Sequence, residues 1–351
     1  MANIIGTTGN DTLIDLSGAA DTIWGDLQGT LLDLGGNDKI YGRAGNDFIY
    51  GDAEIIGPSG RGGNDDISGG DGADRIFGDA SGTLYGSGGD DVLHQNGGAG
   101  DLVGDANLLA AGARGGNDRL YGAGTLVGDS YDTIFSSAFG GHDLLDASSA
   151  TVSSVLMGDS SGNLVGASVG GDDKLIGSVL GDLLLGEGGG EISGSSRGGN
   201  DRLMANGGDD SLYGDAAVLR DFARGGQDLL RGGSGNDQLY GDGIELHGNA
   251  VGGNDQLYGG SGNDQLWGDG DILDDAIGGR DRFFFSDSFG DDTINDFRQG
   301  EDRLVFIGYQ PDELQITVVG SDTVLTTLGD DSVTLTDFTG ALTYGTDVIF
   351  A

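Results

Sequence analysis

Residues 252–270 read GGNDQLYGGSGNDQLWGDG, two near-copies of one nine-residue phrase. Self-similarity at a fixed short period limits a chain more tightly than any other sequence feature. Such a chain cannot assemble a core from unlike elements; it must stack its copies. The Asp of the phrase recurs one phrase-length on in the pairs Asp38/Asp47, Asp65/Asp74, Asp173/Asp182, Asp201/Asp210, Asp228/Asp237 and Asp255/Asp264. A large aliphatic follows shortly after each, as in Ile40, Ile49, Leu203, Leu212, Leu257 and Leu266. Glycines precede most of them.

A longer period lies over the short one. Between the pairs stands a second phrase, usually Gly-Asp with a variable apolar segment after it. It begins at Gly25, Gly51, Gly78, Gly104, Gly128, Gly158, Gly186 (with Glu187), Gly214, Gly241 and Gly268. The mean step equals three of the short units, and the stretch 119–180 keeps the pattern least well.

Each unit has a physical reading. Its glycines allow positive φ and close backbone approach, so they form a tight turn. Asp-x-Leu-x is a short strand with its aliphatic turned inward. Alone it is unstable; stacked on the next copy it builds a continuous aliphatic ladder. The turns stack as well, and carboxylates then repel one another at every level unless a hard cation sits among them. Calcium fits best, because it takes six to eight oxygens and accepts carbonyls, whereas magnesium demands strict octahedral geometry.

Composition agrees. Glycine is 75 of 351 residues and proline 2, which with a period indicates a repeat architecture rather than disorder. Acidic residues number 58 against 16 basic, a net charge of -42. That excludes nucleic acid as a default partner and predicts an open chain until cations neutralise it. Without cysteine, disulfides and thiolate metal sites are ruled out. The N-terminus MANIIGTTGNDTL lacks the basic and apolar regions of a cleaved secretory signal, and no apolar run is long enough for a transmembrane helix.

The phrase resembles the RTX (repeats-in-toxin) nonapeptide GGxGxDxUx, a calcium-binding repeat. Residues 259–267, GGSGNDQLW, match every fixed position; GTTGNDTLI (6–14), GGDGADRIF (69–77) and GGSGNDQLY (232–240) match closely. The resemblance spans roughly positions 6–285. It implies an all-β fold, a right-handed parallel β-roll or β-solenoid, with calcium held by glycine carbonyls and the sixth-position Asp. The matching positions are Asp11, Asp38, Asp47, Asp65, Asp74, Asp91, Asp118, Asp143, Asp173, Asp182, Asp201, Asp210, Asp228, Asp237, Asp255 and Asp264, with Gly36, Gly63, Gly69, Gly116, Gly199, Gly232, Gly253 and Gly259. The Gly-Asp phrase departs from the family pattern. In the family's two-sided roll a coil holds two nonapeptides. A repeat of three would then be one and a half coils, and Gly-Asp turns would alternate between edges. A three-sided coil of three nonapeptides would stack each phrase on its own kind. Family precedent favours the two-sided roll; the match of repeat to coil favours the three-sided one. The expectation follows the precedent.

The text changes at Asp281, which divides the chain into a calcium-binding solenoid, 1–280, and a C-terminal segment, 281–351. Residues 315–337 alternate like antiparallel hairpin strands with turns at Gly320-Ser321 and Gly329-Asp330, predicting a β cap. The ending DVIFA resembles a type I secretion signal, which needs no N-terminal leader.

No catalytic constellation emerges. The G-x-S-x-G matches at 158–162 and 194–198 are expected by chance at this glycine content, and neither sits between a strand and a helix. No HExxH or EF-hand loop occurs, and His94, His142 and His247 read as solvated repeat positions. Position nine is often aromatic and should point outward, for ladder packing or, alternatively, as an adhesive stripe. An ice-binding face would need regular outward Thr ranks, and Thr is sporadic here. The expectation is a whole, non-enzymatic, secreted calcium-binding structural protein of the bacterial exterior. It would pass through type I secretion machinery, fold on calcium and polymerise through an uncapped N-terminal end. The alternatives are a secreted calcium-binding effector acting on a host or membrane, or the secretion module of a larger exoprotein.

Overall fold

A computed structural model describes residues 3–15 and 18–351. Among them are 36 strands and one short 3-10 helix, Pro311–Glu313. The polypeptide winds in coils. One coil runs through Leu229–Ser234, Gln238–Tyr240 and Glu245–Leu246, then returns at Gln256–Ser261 directly above its start. The register is strictly parallel: Leu230 pairs with Leu257, Leu239 with Leu266, and Leu246 with Ile272.

One coil is therefore one long repeat, and each phrase stacks on its own kind. This corrects the expectation of a two-sided coil of two nonapeptides. The physical reason is the segment after Gly-Asp. It forms a strand of its own, such as Ala53–Ile56 or Ala216–Leu219, with both terminal apolar residues buried. An aliphatic row there needs a third wall, which a two-sided coil lacks.

The three walls are sheets. One has 13 strands and one has 15; the third is two four-stranded sheets, Leu27–Leu31 to Ala106–Leu109 and Gly188–Ile192 to Asp271–Ile272. Between those two, pairing thins to isolated bridges such as Ser130↔Ser160 and Ile134↔Leu164. This is the stretch where the repeat is weakest in sequence.

Two cores run along the axis. The larger lies between the 13- and 15-stranded sheets and takes one aliphatic from each short unit: Ile40, Ile49, Ile67, Ile76 and their successors. The other takes Leu31, Ile56, Leu84, Leu109, Ile134, Leu164, Ile192, Leu219 and Leu246 from the third wall. Full burial of each such side chain stabilises by roughly 1.5–3 kcal/mol.

Position nine behaves differently on the two main sheets. On the 13-stranded sheet it faces outward, and neighbours stack, as with Tyr258 on Phe284 at 4.2 Å between ring centroids. On the 15-stranded sheet it is buried in the central coils, where Phe77, Val103, Val127, Met157 and Leu185 form a small core of their own. Tyr50 and Tyr213 pack against that core, and so does Tyr131, which lies beyond the Gly128-Asp129 turn and meets Phe77 edge to face. Outside the central coils the rings ladder, Tyr213 on Tyr240 at 4.9 Å and Tyr240 on Trp267 at 4.2 Å.

At the C-terminal end the sheets continue through Arg282–Phe285, Asp291–Ile294 and Arg303–Phe306, all parallel. Then the pattern reverses. Leu314–Val319, Asp322–Thr327 and Ser332–Leu335 form an antiparallel meander. Gly320 supplies the positive φ its tight turn requires. The aliphatic ladder gives way to rings, with Phe283, Phe285, Phe289 and Phe306 buried together. The expected β cap is present.

Candidate metal centre: three columns of carboxylates

Stacking in register lines the acidic residues into three columns, one at each corner of the coil. The first holds Asp11, Asp38, Asp65, Asp91, Asp118, Asp143, Asp173, Asp201, Asp228 and Asp255, continued by Asp281 and Asp302. Each backbone N–H donates to the Oδ1 of the Asp one coil on, at 2.7 to 3.1 Å. The other oxygen is left over. From Asp38 to Asp281, every Oδ2 in this column is buried without a hydrogen-bond partner. An orphaned buried acceptor is rare in a folded protein, and a row of them calls for an explanation.

The second column stands at the next turn, before the 15-stranded sheet. Asp21, Asp47 and Asp74 are linked in the same way, and so are Ser154, Asp182, Asp210, Asp237, Asp264 and Asp292. Between these runs the register brings Gly100 and Gly124 to the Asp position, so the column is broken. Oδ2 of Asp47, Asp210, Asp237 and Asp264 again has no partner.

The third column is built by the Gly-Asp phrase: Asp26, Asp52, Asp79, Asp105, Asp129, Asp159, Glu187, Asp215, Asp242 and Asp269. Each carboxylate accepts the backbone N–H of the glycine that opens the next turn, for example Gly63 to Asp52 at 2.9 Å and Gly253 to Asp242 at 2.7 Å. Successive acids touch, as Asp52 does Asp79 and Asp105 does Asp129. The column also faces the first one, so that Asp79 repels Asp91 and Asp105 repels Asp118.

Burial, reinforced by like-charged neighbours, pushes Asp91, Asp118, Asp173, Asp201, Asp228 and Asp255 well above the ordinary carboxylate range. Burial also raises Asp38 to about 6, and Asp210 and Asp264 in the second column to about 7.

The structure brings the sequence-predicted residues together, but not as adjacent copies. The two Asp of each nonapeptide pair, such as Asp38 and Asp47, fall in different columns. Partners are copies one coil apart. Gly36, Gly63, Gly116, Gly199 and Gly253 open the turn of the first column, where a methyl group on Gly116 would overlap the carbonyl oxygen of Gly89. Gly69, Gly232 and Gly259 lie in the turn of the second, where a methyl group would crowd Oδ2 of Asp74, Asp237 and Asp264. The acids of the Gly-Asp phrase were not among the predicted site residues. Their signal was in the sequence: the phrase keeps the long period, and at Glu187 it keeps the charge while changing the residue.

These turns suit calcium on their chemistry. The donors are hard oxygens only, and the leftover Oδ2 atoms point into the turns. Among the described residues no three acidic, imidazole or thiol side chains converge on one point. A cation there must draw on backbone carbonyls for much of its shell, which calcium accepts. The residues of the G-x-S-x-G matches have structural partners: Ser160 Oγ donates to the Asp132 carbonyl at 2.5 Å, and Ser168 Oγ to Ser196 Oγ at 3.0 Å. The histidines sit at the surface, His94 stacked on Tyr121 and His247 beside Glu245.

Fold and columns together define a parallel β-solenoid whose turns present stacked acids. The family model described as the RTX calcium-binding nonapeptide repeat (4 copies) matches residues 29–54, 59–81, 196–217, 222–243 and 249–272. Over these stretches the chain carries repeats of the RTX calcium-binding nonapeptide type. No curated protein matches it. Among the described residues no helix is long and apolar enough to cross a membrane.

Proposed function

We propose that this chain is a secreted structural protein of the bacterial exterior that folds as calcium enters its turns. The observation that carries the reading is the unbroken row of buried, partnerless Oδ2 atoms from Asp38 to Asp281. Along it, up to Asp281 where Arg298 stands, no basic side chain among the described residues pairs with these carboxylates, so the coils close fully only with cations among them. The residues that would hold calcium are the predicted Asp of the first and second columns together with the carbonyls of the glycine turns. Bound there, calcium supplies the missing positive charge. The chain's own part is to fix the carboxylates one coil apart and exclude water from them.

The logic suits export. In a calcium-poor cytoplasm a chain of net charge -42 stays open. Outside, folding and binding proceed together. Extracellular calcium modules typically bind at about 10⁻⁴–10⁻³ M, which matches such a switch. On this reading residues 281–351 are a cap and secretion segment, and the protein is not an enzyme. Sheet ends at Asn3–Ile5 and Thr12–Ile14 offer strand edges to a second copy, so the solenoid would extend by edge pairing.

Sedimentation velocity in chelator and then in millimolar calcium tests this. The expected result is a slow, expanded species that becomes compact and then grows into chelator-reversible particles. A compact monomer at every protein concentration would remove the assembly. Identical sedimentation in chelator and calcium would remove calcium-coupled folding itself.

A further inference from the structure

Arg298 is the one place, among the described residues, where the protein itself puts a cation between the first and third columns. Its guanidinium forms an ion pair with Asp269 of the third column and donates to the Gly279 carbonyl at 2.7 Å. Asp281 and Asp302 of the first column lie 3.8 Å away. One coil earlier the equivalent groups are Asp242, Asp255 and the carbonyl of Gly253. There Oδ2 of both acids is fully buried and has no partner. The first run of the second column, by contrast, ends on a neutral donor. Gln95 Nε2 donates to the carbonyls of Gly72 and Gly97 at 2.7 and 2.5 Å, and to Asp74 Oδ2 at 3.3 Å.

We infer that the acids of the Gly-Asp phrase are further ligands of the first column's cations, a divalent hard cation such as calcium lying in the trough between the two rows, with Arg298 filling the last position. Each level offers one acid of the Gly-Asp phrase, one leftover Oδ2 of the first column and a carbonyl of the glycine turn. The guanidinium shows that this set of groups receives a positive charge. The inference rests on the calcium reading above, and adds to it a column of acids that lie outside the nonapeptide motif.

The coils around Asp105 and Asp129 separate the two columns, because Gly100 and Gly124 stand there in place of second-column acids. Calcium bound per chain is counted by equilibrium dialysis at millimolar calcium, with circular dichroism as the check on folding. Asp105→Asn combined with Asp129→Asn keeps the acceptors for Gly116 and Gly141 but removes two charges from the trough. The doubly substituted protein is expected to lose about one or two ions per chain. An unchanged count in a folded variant overturns the inference. If that variant does not fold, Arg298→Met decides: opening the last position should add about one ion, and an unchanged count overturns it. A wild-type chain that binds no calcium at all is a different failure, that of the reading beneath.

Discussion

Asp118 shows how one residue can carry opposite effects. Its Oδ1 accepts the N–H of Asp91 at 2.7 Å, while its Oδ2 is buried and unpaired. Asp118→Asn keeps the acceptor and removes the charge. In chelator the variant should be more stable than the wild type, on the order of 0.5–3 kcal/mol, the usual range for a single substitution, because a buried charge repelled by Asp105 and Asp91 is gone. In millimolar calcium the order should invert, because a ligand is lost. Thermal melts in both conditions check the crossing; a variant less stable in both would mean that the carboxylate is not under repulsion. Gly116 is constrained from the backbone side. A methyl group there would overlap the Gly89 carbonyl, so Gly116→Ala should cost at least about 1–3 kcal/mol with or without calcium.

At the scale of elements, the weak point is the middle of the solenoid. Between Asp74 and Ser154 the second column is broken, and the third wall thins to bridges. Leu120 lies there, fully buried between Leu93 and Leu145 in the register of the 13-stranded sheet. Leu120→Ala should cost about 2–5 kcal/mol. Because each coil touches mainly its neighbours, that loss should also uncouple the halves. Trp24 and Trp267 report on one half each. Denaturant titrations of Leu120→Ala carrying Trp24→Phe or Trp267→Phe should show two separate midpoints, whereas coincident midpoints would mean that the solenoid remains one cooperative unit. The position-nine aromatics are also best read at this scale. Their outward direction followed from strand alternation. Burial of Phe77 and Met157 did not, because it depends on what the chain does after the Gly-Asp turn.

For the whole molecule, the raised carboxyl groups set the response to pH. A buried Asp whose folded pKa exceeds its unfolded value of about 3.9 favours the folded state most at low pH, and that contribution is lost as pH rises through the folded value. Here those values are about 6 for Asp38, about 7 for Asp210 and Asp264, and about 8 for Asp292, with burial as the main cause. In chelator the protein should therefore melt at a higher temperature at pH 5 than at pH 8. With millimolar calcium the trend should reverse, since protons compete with the ion for the same oxygens. Melting curves at the two pH values, with and without calcium, give the four points needed. A calcium-free protein that is more stable at pH 8 would contradict the buried-carboxylate account.

The sequence by itself determined much. Asp, Gly and aliphatic in fixed order specify a turn, a short strand and an inward side chain, because backbone sterics and alternation act within a few residues. The antiparallel end was equally local, written in alternating residues and in turn residues such as Gly320. What the tertiary structure alone decided was which copies meet. The short phrase stacks as well with two copies per coil as with three. The choice fell to the third wall, where burying Ile56, Leu84 and Leu219 needs the longer coil. That choice sends Asp38 and Asp47 to different columns. It also turns the Gly-Asp acids against the first column and places Gln95 and Arg298 at column ends. These are contacts between residues a whole coil or more apart. No local pattern fixes them, because the energy that selects them is the burial of entire faces rather than the preference of any one residue.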